Sequence, residues 1–281
     1  MSKNRVGQKS RAPYLERMTT FDRIAHSIDS LTSNRPASLE ALAAEAELSP
    51  FHFQRTFQKL VGVSPLRFQQ VLKVEAARDA LLKSRSVLEA AWDGGMSGPA
   101  RLHDALLRIE RMTPGELKAG LTLRWSEAET DLGLVTVAST PRGVCGITFS
   151  GLEELEARWP TAKFVRDDGA VKTEVTQLER IFRGQKLTRP LSVMLHGTDL
   201  QVAVWRALLS IPSGTLTTYG ELASHLERPG SARAIGNAVG ANHLAVLIPC
   251  HRVIQATGAL GGYRWGLPRK AALLARELEG T

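Results

Sequence analysis

Cys250 and His251 stand side by side in the hexapeptide Ile248-Pro249-Cys250-His251-Arg252-Val253. A free thiol, with a pKa of about 8.5, is a weak nucleophile until a base or a positive field favours the thiolate. Adjacent side chains point apart on regular structure, so this pair can cooperate only across a turn or through a water. Haem attachment needs C-x-x-C-H, and no second cysteine precedes this one. Zinc held by His243, Cys250 and His251 would lack the usual ligand spacing. A papain-like dyad draws its histidine from far along the chain. Taken alone, the hexapeptide fits a buried cysteine beside an incidental histidine better than a catalytic pair.

The rest of the chain must position that sulfur. At 281 residues it is expected to hold more than one domain, because single cores stop growing near ~250–300 residues. The other cysteine, Cys145, lies between Val144 and Gly146 and reads as a buried apolar filler. Two cysteines make neither a disulfide framework nor a multi-cysteine zinc site. No signal-peptide pattern and no run of ~20 apolar residues is found, so a soluble protein of the reducing cytoplasm is expected. The net charge of +8 favours an anionic partner, nucleic acid ahead of membrane. Residues 1–16 carry Lys3, Arg5, Lys9 and Arg11 and read as a basic flexible tail or an arm along phosphates.

Residues 17–118 are helical in period. Ser49-Pro50, Ser64-Pro65 and Thr113-Pro114 each place a capping hydroxyl before a proline suited to the first helical position, and Glu116 completes a capping box with Thr113. The spacing predicts a helix over 39–46, a tight turn, a helix over 50–60 and a longer one over 65–83. A second such unit is expected over 87–111, turning at residues 94–99. With "LSPFHFQRTFQKLVGVSPLRFQQ" and "RIERMTPGEL", this stretch resembles the AraC-family DNA-binding domain. The resemblance implies that Phe51, Gln54 and Arg55 contact bases from the major groove. The second unit departs from the pattern, with Pro99, Ala100, His103 and Asp104 at its reading positions, and an aspartate there meets phosphate repulsion.

After Gly120 the text alternates in strand-like runs, with helices near 152–158 and 173–182, and reads as a small α/β unit. From Gly197 it is largely helical again. One helix is expected over 199–209. Thr218 and Glu221 form a capping box for the next, and Ser231 caps "ARAIGNAVGAN". That helix is rich in Ala and Gly, so its backbone can press close to another surface.

In their order and spacing, "TTYGELA", "ARAIGNAVGAN", "IPCHRVI", "GALGGYRWG" and "RKAALLARE" resemble the O6-alkylguanine-DNA alkyltransferases, over about residues 119–281. Joined to the AraC-like part, the chain resembles the bacterial Ada adaptive-response proteins. Residues 1–16 hold no cysteine, so the family's cysteine-rich zinc domain and its activation switch are expected to be absent. The implied fold is multi-domain. It comprises an all-α double helix-turn-helix domain (17–118), an α/β, RNase H-like subdomain (119–196) and a mainly α, winged helix-turn-helix-like catalytic domain (197–281).

The resemblance also implies roles. Cys250 would accept the alkyl group, His251 would take the thiol proton through a water, and Glu277 would hold the imidazole. Tyr219 would donate to the leaving guanine, and Asn242 would fix the turn carrying Cys250. Arg233 would replace the flipped base, on a helix where Ser231, Ala232 and Gly236 also meet DNA. Val253, Gly262, Tyr263 and Arg264 would line the pocket. The implied reaction is a single-turnover methyl transfer from O6-methylguanine, and from O4-methylthymine, after base flipping. It needs no cofactor and no metal. The partners are double-stranded DNA with alkylated bases, with promoter DNA and RNA polymerase for a regulatory role; no membrane is implied, and a monomer is expected. Two other readings compete: a transcription regulator whose alkyltransferase half senses damage, and a non-catalytic lesion-flipping protein, against which Cys250 itself argues.

Overall fold

A computed structural model describes residues 19–32, 38–93, 107–112, 120–183, 185 and 187–279. The helical region comprises α1 (Thr20–Thr32), α2 (Leu39–Glu45), α3 (Pro50–Val61), α4 (Pro65–Val71) and α5 (Val74–Asp93). The caps expected at Ser49 and Ser64 form: each hydroxyl accepts a backbone N–H, from His52 and Arg67, both at 3.3 Å. Phe53, Phe57 and Phe68 are fully buried and pack ring against ring, joining α3 to α4. Each such side chain contributes about 1.5–3 kcal/mol of burial. The helix expected over 65–83 is broken. Leu72 leaves helical geometry (φ −95°, ψ 6°) and packs against both the helical core and a second cluster formed with the C-terminal half.

A six-stranded mixed sheet follows, in the order β1-β6-β4-β3-β2-β5. Its strands are β1 (Leu107–Arg111), β2 (Thr122–Thr130), β3 (Gly133–Thr140), β4 (Gly143–Thr148), β5 (Lys163–Arg166) and β6 (Leu191–Leu195). Helices α6 (Leu152–Arg158) and α7 (Lys172–Phe182) belong to the same unit. Residues 107–111 were expected to end the second helix-turn-helix unit. They pair instead with β6 along their whole length, in parallel, so the sheet draws an edge strand from ahead of the expected boundary at 119. Leu107 and Ile109 alternate with Arg108 and Glu110, a period that suits a strand as well as a short helix end. The turn at 94–99, Pro99, Ala100, His103, Asp104, the Thr113–Glu116 box and the tail 1–16 lie outside the described residues.

The C-terminal region holds α8 (Asp199–Leu209), the short parallel pair β7 (Thr217–Thr218) and β8 (Val253–Ile254), α9 (Tyr219–His225), α10 (Ala232–Gly240) and α11 (Leu267–Glu279). The capping box of Thr218 and Glu221 is present, and Thr198 and Gln201 form another on α8. Ser231 makes no side-chain cap bond: at ψ 22° it is already turning into the helix, where its hydroxyl cannot reach the first free N–H groups.

The two halves share one apolar core running from Phe21, Phe53 and Phe57 to Trp205 and Ala272. Helix α11 is the main seam. Its Arg269 pairs with Asp22 of α1 at 3.1 Å and lies over the rings of Phe21 and Phe149. Its Arg276 donates to the carbonyls of Leu60 and Phe182. Gly62, at φ 92°, ends α3 in the left-handed region, and a Cβ there would stand 2.7 Å from Arg276 Cγ. Helix α5 adds a second contact, with Leu216 N–H donating to Ser84 Oγ at 3.0 Å and Trp92 stacked on His225 at 4.2 Å. Among the described residues no helix is long and apolar enough to cross a membrane.

Candidate active site

Cys250 opens a single 3-10 turn, Cys250–Arg252, that leads directly into β8. The approach to it is a tight loop held by one side chain. Asn242, 1% exposed, accepts from Leu244 N–H at 2.9 Å through Oδ1. Its Nδ2 donates to Ile248 O and to Cys250 Sγ, both at 3.1 Å. Within this loop Val246 sits at φ 65°, a conformation β-branched residues rarely adopt, so the surroundings must enforce it.

The imidazole of His251 turns its Nε2 towards α11. Its Nε2 lies 3.0 Å from Glu277 Oε1, and because a carboxylate only accepts, Nε2 carries the proton. Nδ1 is therefore the acceptor; it is buried and has no protein partner. Arg252 forks onto the same carboxylate, Nη2 to Oε1 at 2.8 Å and Nε to Oε2 at 2.9 Å. Gly214 N–H adds a longer bond at 3.4 Å.

These partners set the charges. Burial alone would raise the Glu277 carboxyl, but Arg252 and His251 outweigh it and hold it well below the usual carboxylate range. Burial pushes His251 down, against the pull of Glu277, so the imidazole is neutral at neutral pH and fit to accept a proton. Burial pushes the Cys250 thiol up, opposed first by the Asn242 amide and then by the Lys270 charge. The resting sulfur is thus a thiol that needs a base, with a neutral base nearby.

Tyr219 begins α9 with its ring half-buried. Gly236 and Gly261 both pass the phenol: a Cβ on Gly236 would make ordinary contact with its ring at 3.6 Å, and Gly261, at φ 70°, runs beside its hydroxyl. Burial, and then Cys250, raise the Tyr219 pKa and keep it a proton donor. Tyr263 packs edge-on against Trp265 at 5.3 Å, with its buried hydroxyl unpartnered by protein. Val253 is buried and Gly262 exposed. Arg264 reaches back to Gly240 O and Glu154, each at 3.0 Å, and ties the pocket loop to α10 and the sheet unit. On α10, Arg233 is exposed, and Ser231, Ala232 and Gly236 are half-buried.

The structure therefore gathers Cys250, His251, Glu277, Asn242 and Tyr219 at one place. Phe51, Gln54 and Arg55 are exposed on α3, apart from it; Phe51 is 71% exposed, with the Arg55 guanidinium 5.6 Å from its ring centre. Phe51 and Arg55 line a cleft of about 1050 Å³ together with Glu129, Asp131, Glu179 and Arg183. His243, an alternative zinc ligand, has both ring nitrogens buried without partners and packs edge-on against Trp205 and Trp159. Among the described residues no group of three or more metal-binding side chains converges. Cys145 is wholly buried, its pKa pushed up to about 12, as suits a filler. Sequence reasoning passed over Arg252 and Lys270. Arg252 sits inside the quoted hexapeptide, but a fork onto a carboxylate 25 residues away leaves no local signal. Lys270 shares a helix face with Leu274 and Glu277 at i, i+4 and i+7, a spacing that could have marked it.

Two family models match the chain: "6-O-methylguanine DNA methyltransferase, DNA binding domain" over residues 199–279, and "Helix-turn-helix domain" over residues 42–120. The chain is 35% identical over 269 residues to the Escherichia coli "Bifunctional transcriptional activator/DNA repair enzyme Ada", covering 92% of this chain and 75% of that protein. It is 38% identical over 157 residues to a Mycobacterium bovis "Methylated-DNA--protein-cysteine methyltransferase", covering 55% of this chain and 92% of that one. A crystal structure of the Mycobacterium tuberculosis O6-methylguanine methyltransferase matches with a TM-score of 0.50 at 36% identity, over 56% of this chain and 94% of that one. With an AraC-type helix-turn-helix unit in front of a methylguanine-methyltransferase domain, the chain belongs to the family of the Ada proteins.

Proposed function

We propose that this chain repairs double-stranded DNA by moving the methyl or other alkyl group of O6-alkylguanine, and of O4-methylthymine, irreversibly to Cys250. The observation that carries the reading is the arrangement of Cys250, His251 and Glu277. Cys250 is buried, at 6% exposure, the imidazole is neutral with one acceptor nitrogen lacking a protein partner, and a doubly held carboxylate fixes its tautomer. Such a lesion lies inside the duplex, so the nucleotide is first flipped out at a cost of a few kcal/mol. Arg233, exposed near the start of α10, fills the gap, while Ser231, Ala232 and Gly236 let the helix approach the backbone.

His251 Nδ1 then draws the thiol proton through a bridging water. The thiolate forms the sulfur–carbon bond as the bond from that carbon to O6 breaks, and the electron pair moves onto the purine. Tyr219 donates a proton to the purine and is reprotonated from the imidazolium, so the net result is S-methylcysteine and guanine. Val253, Gly262, Tyr263 and Arg264 shape the pocket. A thioether is stable, so each molecule turns over once. In this reading an RNase H-like subdomain borrows β1 from the AraC-type region, and a winged helix-turn-helix-like catalytic domain begins at residue 197. The protein acts as a monomer on chromosomal DNA in the cytoplasm. The test is stoichiometry: O6-methylguanine lost from a duplex oligonucleotide should plateau at one per protein, and continued turnover would refute the reading.

A regulatory role has its own support. Phe51, Gln54 and Arg55 remain exposed on a capped second helix of a helix-turn-helix unit, where they can read promoter bases and bring RNA polymerase. Footprinting should then reveal a defined site that depends on Gln54 and Arg55.

A further inference from the structure

Lys270 is a charged side chain with no exposed surface at all, buried among the large apolar residues of the core. Its ammonium donates to three backbone carbonyls: Val253 at 2.7 Å, Gly262 at 3.3 Å and Leu260. Val253 follows the turn of Cys250, and Leu260 and Gly262 belong to the loop that passes Tyr219. Three carbonyls exhaust the three donors of an ammonium, a satisfied geometry for a buried cation. Among the described residues no carboxylate pairs with it, although burying an unpaired charge is costly. Such a cost is retained where the charge has work to do.

We propose that Lys270 is a positioning residue for alkyl transfer: it closes the pocket loop and supplies the fixed positive charge that stabilises the Cys250 thiolate. The groups facing Cys250 are few. The Asn242 amide comes from the loop before it, the phenols of Tyr219 and Tyr263 from α9 and the pocket loop, and His251, with Glu277 and Arg252, from the relay side. The cations acting on the sulfur are Lys270 and, more weakly, Arg264. Arg264 is 40% exposed and shares its charge with Glu154, so solvent and carboxylate screen it. Lys270 is neither screened nor paired. The two groups support one another, since Cys250 raises the Lys270 pKa against the burial that pulls it down to about 8. Both therefore favour the pair of thiolate and ammonium, and proton loss from Lys270 near that pH weakens the effect.

This inference rests on Cys250 being the acceptor, but it is tested without DNA. The probe is the ultraviolet thiolate absorbance of the whole protein against pH, with Cys250→Ser as the blank. Lys270→Met removes charge and donors, whereas Lys270→Gln removes the charge and keeps two of the three donors. In Lys270→Gln the thiolate midpoint should rise by about one pH unit, and methyl transfer near neutral pH should fall about tenfold, with thermal stability near that of the parent. Lys270→Met should melt earlier and show the same raised midpoint; if it fails to fold, Lys270→Gln alone carries the test. An unchanged midpoint in Lys270→Gln overturns the proposal and leaves Lys270 a structural staple. A shifted midpoint in a protein whose parent takes no methyl from an O6-methylguanine oligonucleotide would sink the repair reading, and with it the role in alkyl transfer, leaving only the charge coupling of Lys270 to the Cys250 thiolate.

Discussion

The chain contains two kinds of helix-turn-helix, α2–α3 and α9–α10, with opposite surfaces on their second helices. On α3 the exposed face carries Phe51, Gln54 and Arg55, long side chains with planar groups suited to base edges. On α10 the exposed or half-exposed positions are Ala232, Ala234, Gly236 and Gly240, broken only by Arg233 and Asn237. The first can read sequence by reaching out. The second can bring its backbone close and insert one long side chain, which suits a search for damage in any sequence context. The surroundings differ too. Helix α3 borders a cleft also lined by Glu129, Asp131, Glu179 and Arg183, whereas α10 packs on α8 and α9. On the function proposed above, one motif would serve two forms of recognition, with the side chains deciding which.

The sharpest way to separate the two helices is to disable the chemistry alone. Glu277→Gln should slow methyl transfer by about 10²–10⁴-fold in single-turnover assays, while DNA affinity through α3 stays unchanged. It should also destabilise the fold by about 3–5 kcal/mol, because Arg252 loses its partner. The pH dependence follows. Glu277, held low, contributes stability that is present above its unfolded pKa of about 4.3 and lost as pH falls towards the folded value. His251, buried neutral, loses stability as pH falls below its unfolded value of about 6.5. Acid titration of the melting temperature should therefore fall in two stages in the parent, with the lower stage reduced in Glu277→Gln.

Next in size, Arg55→Ala should weaken binding at a footprinted promoter site by about 1–3 kcal/mol without changing methyl transfer. Equal loss on every sequence would reduce Arg55 to a phosphate contact. Smaller still, Ala234→Leu on α10 should lower affinity for lesion-bearing duplex by about tenfold, because an extra isobutyl group holds the helix off the groove. Its melting temperature should not move, since Ala234 is exposed. Unchanged DNA binding would break the contrast between the helices.

Much of this was legible in the residues because local chemistry announces itself. The Ser-Pro pairs at 49–50 and 64–65 and the box of Thr218 and Glu221 fixed helix starts that the structure keeps. The hexapeptide with its neighbours located the sulfur, whereas Glu277 was singled out only through the resemblance, since an acid beside Arg276 on a terminal helix ordinarily faces solvent. Non-local relations were not legible. Strand β1 is a strand only because β6 lies beside it, and Leu72 breaks a helix only because two cores need it. Arg252 and Lys270 act through contacts made by distant chain segments. The docking of α11 against α1, with Arg269 and Arg276 as its polar ties, likewise needed coordinates.

The most direct measurement is the mass of the protein after exposure to a duplex holding one O6-methylguanine. A gain of a single methylene unit, mapped to the peptide containing Cys250 and missing in Cys250→Ala, is the predicted result. No gain, or a gain on any other residue, would contradict it.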